Sequence, residues 1–181
     1  MIYLFGVDPS LTSTGCSGVL YDPARRTYTS TYRYTIRTGP QDGTVHDRLR
    51  QIVRELVGVE VSAWASCQEY WAKDGPGAIY RAIVVEDPTE QKKIALARGK
   101  HSPRSIAVLG AAVGAVLTAM DRVSPPSVVA VPPSDWIGST PHKSKRRDLQ
   151  LLIRGLDDAQ DDAIFAAGVA RWWCEKHAAA G

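Results

Sequence analysis

Two short apolar runs, Ile2-Tyr3-Leu4-Phe5 and Ala82-Ile83-Val84-Val85, each lead into a carboxylate, Asp8 in one case and Glu86 in the other. Unbroken apolar runs of this length are the mark of strands covered on both faces, as in the interior of a sheet with parallel neighbours. Ligands of such sheets bind beyond the carboxyl ends of the strands, which is where Asp8 and Glu86 would sit. The turn GVDPSLTSTG that follows the first run admits a plainer role for Asp8, because an Asp in Asp-Pro-Ser readily bonds its own backbone. One aspartate decides nothing; a second strand ending in an acid makes the pair worth following.

The rest of the chain reads as alternating strands and helices. Residues 15–21 (GCSGVLY) and 28–37 (YTSTYRYTIR) read as two further strands of a meander, rich in β-branched and aromatic side chains. Leu49, Ile52, Val53, Leu56 and Val57 follow helical spacing in a helix opening after Thr44, and residues 64–80 read as irregular, with a loop at Asp74-Gly75-Pro76-Gly77. A helix is expected over 105–120, with Gly110, Ala111, Gly114 and Ala115 on a small-residue face, then a strand at 127–131 and helices near 144–154 and 161–176. The order βββαβαβαα implies an α/β fold with a central mixed five-stranded sheet flanked by helices. At 181 residues it implies one domain, 1–181.

Cysteine and charge narrow the setting. Cys16, Cys67 and Cys174 are odd in number and form no CxxC pair, which speaks against a disulfide framework and a zinc site and for a reducing, cytoplasmic compartment. The start of the chain lacks a basic n-region, and the apolar stretch 106–120 is shorter than a bilayer span, so neither a secretory signal nor a membrane is expected. The net charge of +3 permits a nucleic-acid partner without requiring one. Basic residues nevertheless gather at Lys92, Lys93, Arg98, Lys100 and Arg104, and again at Lys143, Lys145, Arg146 and Arg147. Either cluster alone would pass for a solvated face.

A third group of acids, Asp157, Asp158, Asp161 and Asp162, opens the last helix, where the helix dipole already favours negative charge. Together with Asp8 and Glu86 these acids can converge on one sheet edge. Crowded carboxylates repel and raise one another's pKa unless a cation neutralises them. All-oxygen ligands suit Mg²⁺ or Mn²⁺, and a pair of such ions can activate water and stabilise the leaving oxygen of a phosphodiester.

The motifs GVDPSLTSTGCSGV, AIVVED, SIAVLGAAVGAV, VPPSDW followed by HKSKRR, and DAQDDAIFAAGVA occur in that order across residues 2–173. As an ordered set they resemble the RuvC-type Holliday junction resolvases of the RNase H-like superfamily. The resemblance implies an RNase H-like fold and an endonuclease that resolves four-way DNA junctions as a homodimer, with two Mg²⁺ or Mn²⁺ ions per site. It also implies that Asp8, Glu86 and two of the C-terminal acids hold the metals. The family spacing D-x-x-D selects Asp158 and Asp161, whereas the Ala-Ile that follows selects Asp162. A charge at the position packing toward the sheet would be costly, and an i,i+4 pair would share a helix face, which favours Asp158 with Asp162 and leaves Asp161 third. Lys143 falls where the family carries a basic residue near the scissile phosphate. Residues 87–104 lack the aromatic that family members wedge into the junction; their cations (Lys92, Lys93, Arg98, Lys100, Arg104), with Lys145 and Arg146, suit phosphate contact. Fold does not fix substrate, so flaps, forks and RNA–DNA hybrids remain open. An actin-like kinase or ATPase would need a second such domain, and a non-catalytic junction binder would gain nothing from so many acids.

Overall fold

The computed structural model describes residues 1–72, 80–97, 102–122, 128–137 and 140–177. Its centre is a mixed sheet in the order β5-β4-β1-β2-β3-β6. β1 (Ile2–Asp8), β2 (Ser13–Asp22) and β3 (Thr27–Arg37) form an antiparallel meander, and β4 (Tyr80–Glu86) runs parallel to β1 on its other side. β5 (Val128–Val131) pairs in parallel with β4. The sixth strand, β6 (Ile153–Arg154), adds two residues to the far edge, parallel to β3 at Tyr28 and Thr29. The expectation of five strands is short by this one. The run 144–154, read as a single helix, ends instead at Leu152, and Gly155 at φ +82° turns the chain immediately after β6.

Alternate residues of the central strands feed two cores, as strand geometry requires. Tyr3, Phe5, Val7, Ile83 and Val85 face α1 (Val45–Ala72) and α3 (Pro103–Arg122), burying Ile52, Leu56, Ala63, Cys67, Val116 and Met120. Leu4, Ala82 and Val84 face α6 (Asp161–His177) and α5 (His142–Leu152). α6 is buried from Ala163 through Ala170 and so carries no polar side in that stretch, as befits a helix enclosed by its neighbours.

α1 continues well past its aliphatic stripe, through a stretch read as irregular. The core contacts there are made by Ala63, Cys67 and Trp64, whose ring packs edge-on to Tyr3 at 5.1 Å. The region read as a basic loop after Glu86 contains α2 (Thr89–Ala97), opened by the Asp87 carboxylate accepting from the Thr89 N–H at 3.0 Å. A short helix, α4 (Pro133–Trp136), follows β5. α3 spans 20 residues, longer than the apolar stretch suggests, and by length and composition alone it could cross a membrane. In this fold one face of it lies on the sheet and α1. Cys16, Cys67 and Cys174 are free and buried.

Candidate active site

β1 and β4 lie side by side with Val7 opposite Val85, so Asp8 and Glu86 are the next residues of two adjacent parallel strands. Strand alternation turns both toward the α6 face, the face of Leu4 and Val84. α6 comes unusually close there. A β-carbon on Gly6 would meet the Ala166 carbonyl oxygen at 1.8 Å, and one on Gly15, the cross-strand partner of Asp8, would meet the Asp162 carbonyl oxygen at 2.1 Å. Only glycine fits at either position, and the resulting approach delivers Asp162 to the strand ends.

Glu86 is buried, and the Asp8 carboxyl is hemmed in by protein although the residue keeps a partial opening to solvent. Burial raises the pKa of Asp8 well above the ordinary carboxylate value, and the charges of Glu86 and Asp162 raise it further. Burial also raises Glu86, opposed by a hydrogen bond from Asp8, the Trp136 indole and the positive fields of His142 and Lys92. Asp8 and Glu86 thus share one hydrogen bond, and burial and mutual repulsion favour keeping a proton on the pair. Asp162 accepts from the Ser13 hydroxyl at the start of β2. Three carboxylates from three elements therefore converge, and their chemistry fits a hard divalent cation: oxygen donors whose crowding is relieved here by a proton. Among the described residues no three His, Cys, Asp or Glu side chains are already spaced to clasp one ion.

The remaining C-terminal acids point elsewhere. Asp161 is exposed and pairs with Arg146 of α5 at 2.7 Å, an ion pair without the alignment of a hydrogen bond. Asp158 precedes the helix, in a turn, so the i,i+4 relation to Asp162 does not apply. It lines a separate polar cleft with Arg33, Tyr34, Thr35 and Gln160.

The cations are divided in the same way. Lys143 is exposed in the first turn of α5. Lys145 donates to the Trp136 carbonyl at 3.0 Å and lies 5.5 Å over its ring. Lys93 pairs with Glu90 at 2.5 Å. Lys92 is half-buried beside Glu86, and Arg104 is exposed at the start of α3. Arg98 and Lys100 lie outside the described residues.

Three contributors escaped the sequence reading. Ser13 carries no motif. Trp136 stands out in the sequence only as the end of VPPSDW, yet its ring is buried against Phe165 and its indole N–H, which closes no well-aligned hydrogen bond, favours the Glu86 carboxylate. His142, exposed at the start of α5, stacks on Phe165 at 3.9 Å and adds positive field at Glu86. The signal available for Trp136 was Gly168, where a β-carbon would meet the indole at 2.7 Å and Leu149 at the same distance, but nothing in the sequence alone pairs these residues.

No protein-family model and no curated protein matches this chain in sequence. Solved structures do match in shape. Thermus thermophilus RuvC in complex with a Holliday junction substrate is 17% identical, with a TM-score of 0.64, over 97% of this chain and 96% of that one. A second Thermus thermophilus RuvC structure is 18% identical, with a TM-score of 0.63, over 96% of both chains. Near-complete coverage at such low identity establishes the architecture: the chain has the RNase H-like α/β fold seen in RuvC.

Proposed function

We propose that this protein is a divalent-metal-dependent endonuclease that hydrolyses phosphodiesters in branched DNA, four-way junctions foremost, as a homodimer. The observation that carries the reading is the proton-sharing pair Asp8–Glu86 at two parallel strand ends, with Asp162 brought beside it. The fold it shares with RuvC, and the junction bound to one of those RuvC proteins, support the choice of substrate.

Asp8, Glu86 and Asp162 would hold the metal. Bound Mg²⁺ or Mn²⁺ would supply an activated water and charge neutralisation at the phosphate. The chain's own groups prepare for this. Ser13 fixes Asp162; Trp136, His142 and Lys92 favour the charged form of Glu86; the proton shared by Asp8 and Glu86 would be displaced by a bound cation. Lys143, exposed at the head of α5, is free to meet a DNA phosphate. Arg146, Lys145 and Lys93 are engaged with protein groups and serve DNA only at the cost of those contacts.

The dimer rests on α3. Ala107, Ala111 and Gly114 are exposed on this apolar helix, and among the described residues nothing outside the helix's own backbone lies within 4 Å of the space a β-carbon would fill at Gly110 or Gly114. A second copy laid along that face would cover it and set two sites against two symmetry-related strands. The buried thiols accord with a reducing cell interior.

The test is a panel of labelled four-way junction, fork, flap, linear duplex and RNA–DNA hybrid, with Mg²⁺, Mn²⁺ or EDTA. Paired symmetric nicks on the junction, absent in EDTA, are expected. Cutting confined to hybrids would replace the junction reading with a ribonuclease, and ATP turnover without cutting would replace it with a kinase-type domain.

A further inference from the structure

A recess of about 510 Å³, within the range of roughly 300–1,000 Å³ of small-molecule sites, opens between the turn after β1 and helices α1, α2 and α3. It adjoins the catalytic group through Lys92, which lines the recess and also lends positive field to Glu86. Its floor is apolar: Leu11 from the turn after β1, with Ile106, Val108 and Leu109 from α3. Its cationic lining is formed by buried Arg48, half-buried Lys92 and exposed Arg104.

Arg48 is buried, and its fixed contacts run from Nε to the Thr38 hydroxyl and from Nη2 to the Leu11 and Thr38 carbonyls; Nη1 takes part in none of them. Ser105, in the first turn of the 20-residue α3, donates its hydroxyl to the Ser102 carbonyl at 2.8 Å, and the helix dipole at this end favours an anion. A flat apolar body with an anionic tether matches this combination of apolar floor and cationic lining, whereas a bare phosphate would leave the floor unused. A duplex presents phosphates but no exposed base face, so the ligand must be unpaired.

We infer that the recess receives one unpaired nucleotide of the DNA at the branch point, its base against Leu11, Ile106, Val108 and Leu109 and its phosphate at Arg48, Lys92 and Arg104. The inference rests on the DNA reading above and deepens it. Residues 87–104 hold no Phe, Trp or Tyr to drive strands apart. The recess substitutes capture for wedging: it stabilises the open branch by holding a displaced base, as enzymes that extrude bases do.

Junctions carrying 2-aminopurine singly at each position around the branch point test this with the wild-type chain in EDTA, where no cutting intervenes. At one position fluorescence should rise about threefold on binding, as the base leaves its stack. Filling the recess with Val108→Phe, or from its exposed wall with Ser105→Phe, should remove most of that rise in junction held bound at saturating protein. The Ser105 variant leaves the core untouched should the Val108 variant fail to fold. A bound junction whose 2-aminopurine stays quenched at every position, or a rise that survives in Ser105→Phe, overturns the inference and spares the nuclease reading. Failure to bind the junction at all overturns both.

Discussion

Gly15→Ala tests how the site is assembled. The new methyl would lie 2.1 Å from the Asp162 carbonyl oxygen and 2.7 Å from the Ala163 nitrogen, where ordinary contact begins at 3.4 Å. Both neighbours are backbone, so no side chain can swing aside, and the first turn of α6 must retreat from the sheet by about 1 Å. Forcing a methyl into packed structure costs about 1–3 kcal/mol. For a chain of this size that lowers the melting temperature by roughly 2–12 °C. Asp162 moves with the turn, and a displacement of about 1 Å in a catalytic constellation costs on the order of 100-fold in rate. Melting followed by circular dichroism, and single-turnover junction cutting well below the melting point, separate the two effects. Gly6→Ala, where the clash at 1.8 Å is with Ala166 farther along α6, should cost more stability. If Gly15→Ala melts within about 1 °C of wild type and cuts within about twofold of it, the close approach of α6 does not position the site.

Asp8→Asn and Glu86→Gln should abolish cutting while junction binding by filter assay stays largely intact, because their charge serves the metals. Among the C-terminal acids Asp162→Asn should be severe, Asp158→Asn milder, and Asp161→Asn mildest, since the exposed pair with Arg146 is worth little; an inactive Asp161→Asn beside an active Asp162→Asn would place α6 in the wrong register. In EDTA, the contribution of Asp8 to stability should be full below about pH 4 and be lost as pH rises through its raised pKa, because the unfolded chain releases that proton near 3.8 and the folded one keeps it. Melting curves of Asp8→Asn should lack this loss, and added Mg²⁺ should raise the wild-type melting temperature near pH 8. In salt titrations Lys92→Ala and Arg104→Ala should each flatten the slope of log K against log salt by about 0.9, and Lys93→Ala by less, its charge being engaged with Glu90; equal slopes in all three would remove the recess cations from the DNA contact.

The fold was legible wherever burial is two-sided. Ile2–Phe5 and Ala82–Val85 are apolar without interruption because helices cover both faces of the sheet there, and no surface strand needs such a run. Legibility failed where burial is carried by residues outside the aliphatic alphabet. The second half of α1 is anchored by Ala63, Trp64 and Cys67, whose spacing is helical but whose identities resemble a loop. It failed also at β6, where two residues pair with β3 only because α5 stops and Gly155 turns the chain, an arrangement set by the sheet edge and not by local preference.

At the site the sequence reading of strand ends brought Asp8 and Glu86 to one edge, since parallel neighbours put equivalent ends together. The C-terminal acids were harder, because four aspartates within six residues differ only in what they face. In the structure Asp162 turns to Ser13 and Asp8 while Asp161 turns to Arg146. The helix-face reasoning that paired Asp158 with Asp162 fails, because α6 begins at Asp161 and a turn residue has no i,i+4 partner. What distinguishes Asp162 physically is its neighbour across the gap: Gly15 lets the backbone in, and Ser13, two residues earlier on the same strand, holds the carboxylate once it arrives. Both lie almost 150 positions away in the chain. The selection is made by the approach of α6 to β2, which no reading of residues 157–162 alone could contain.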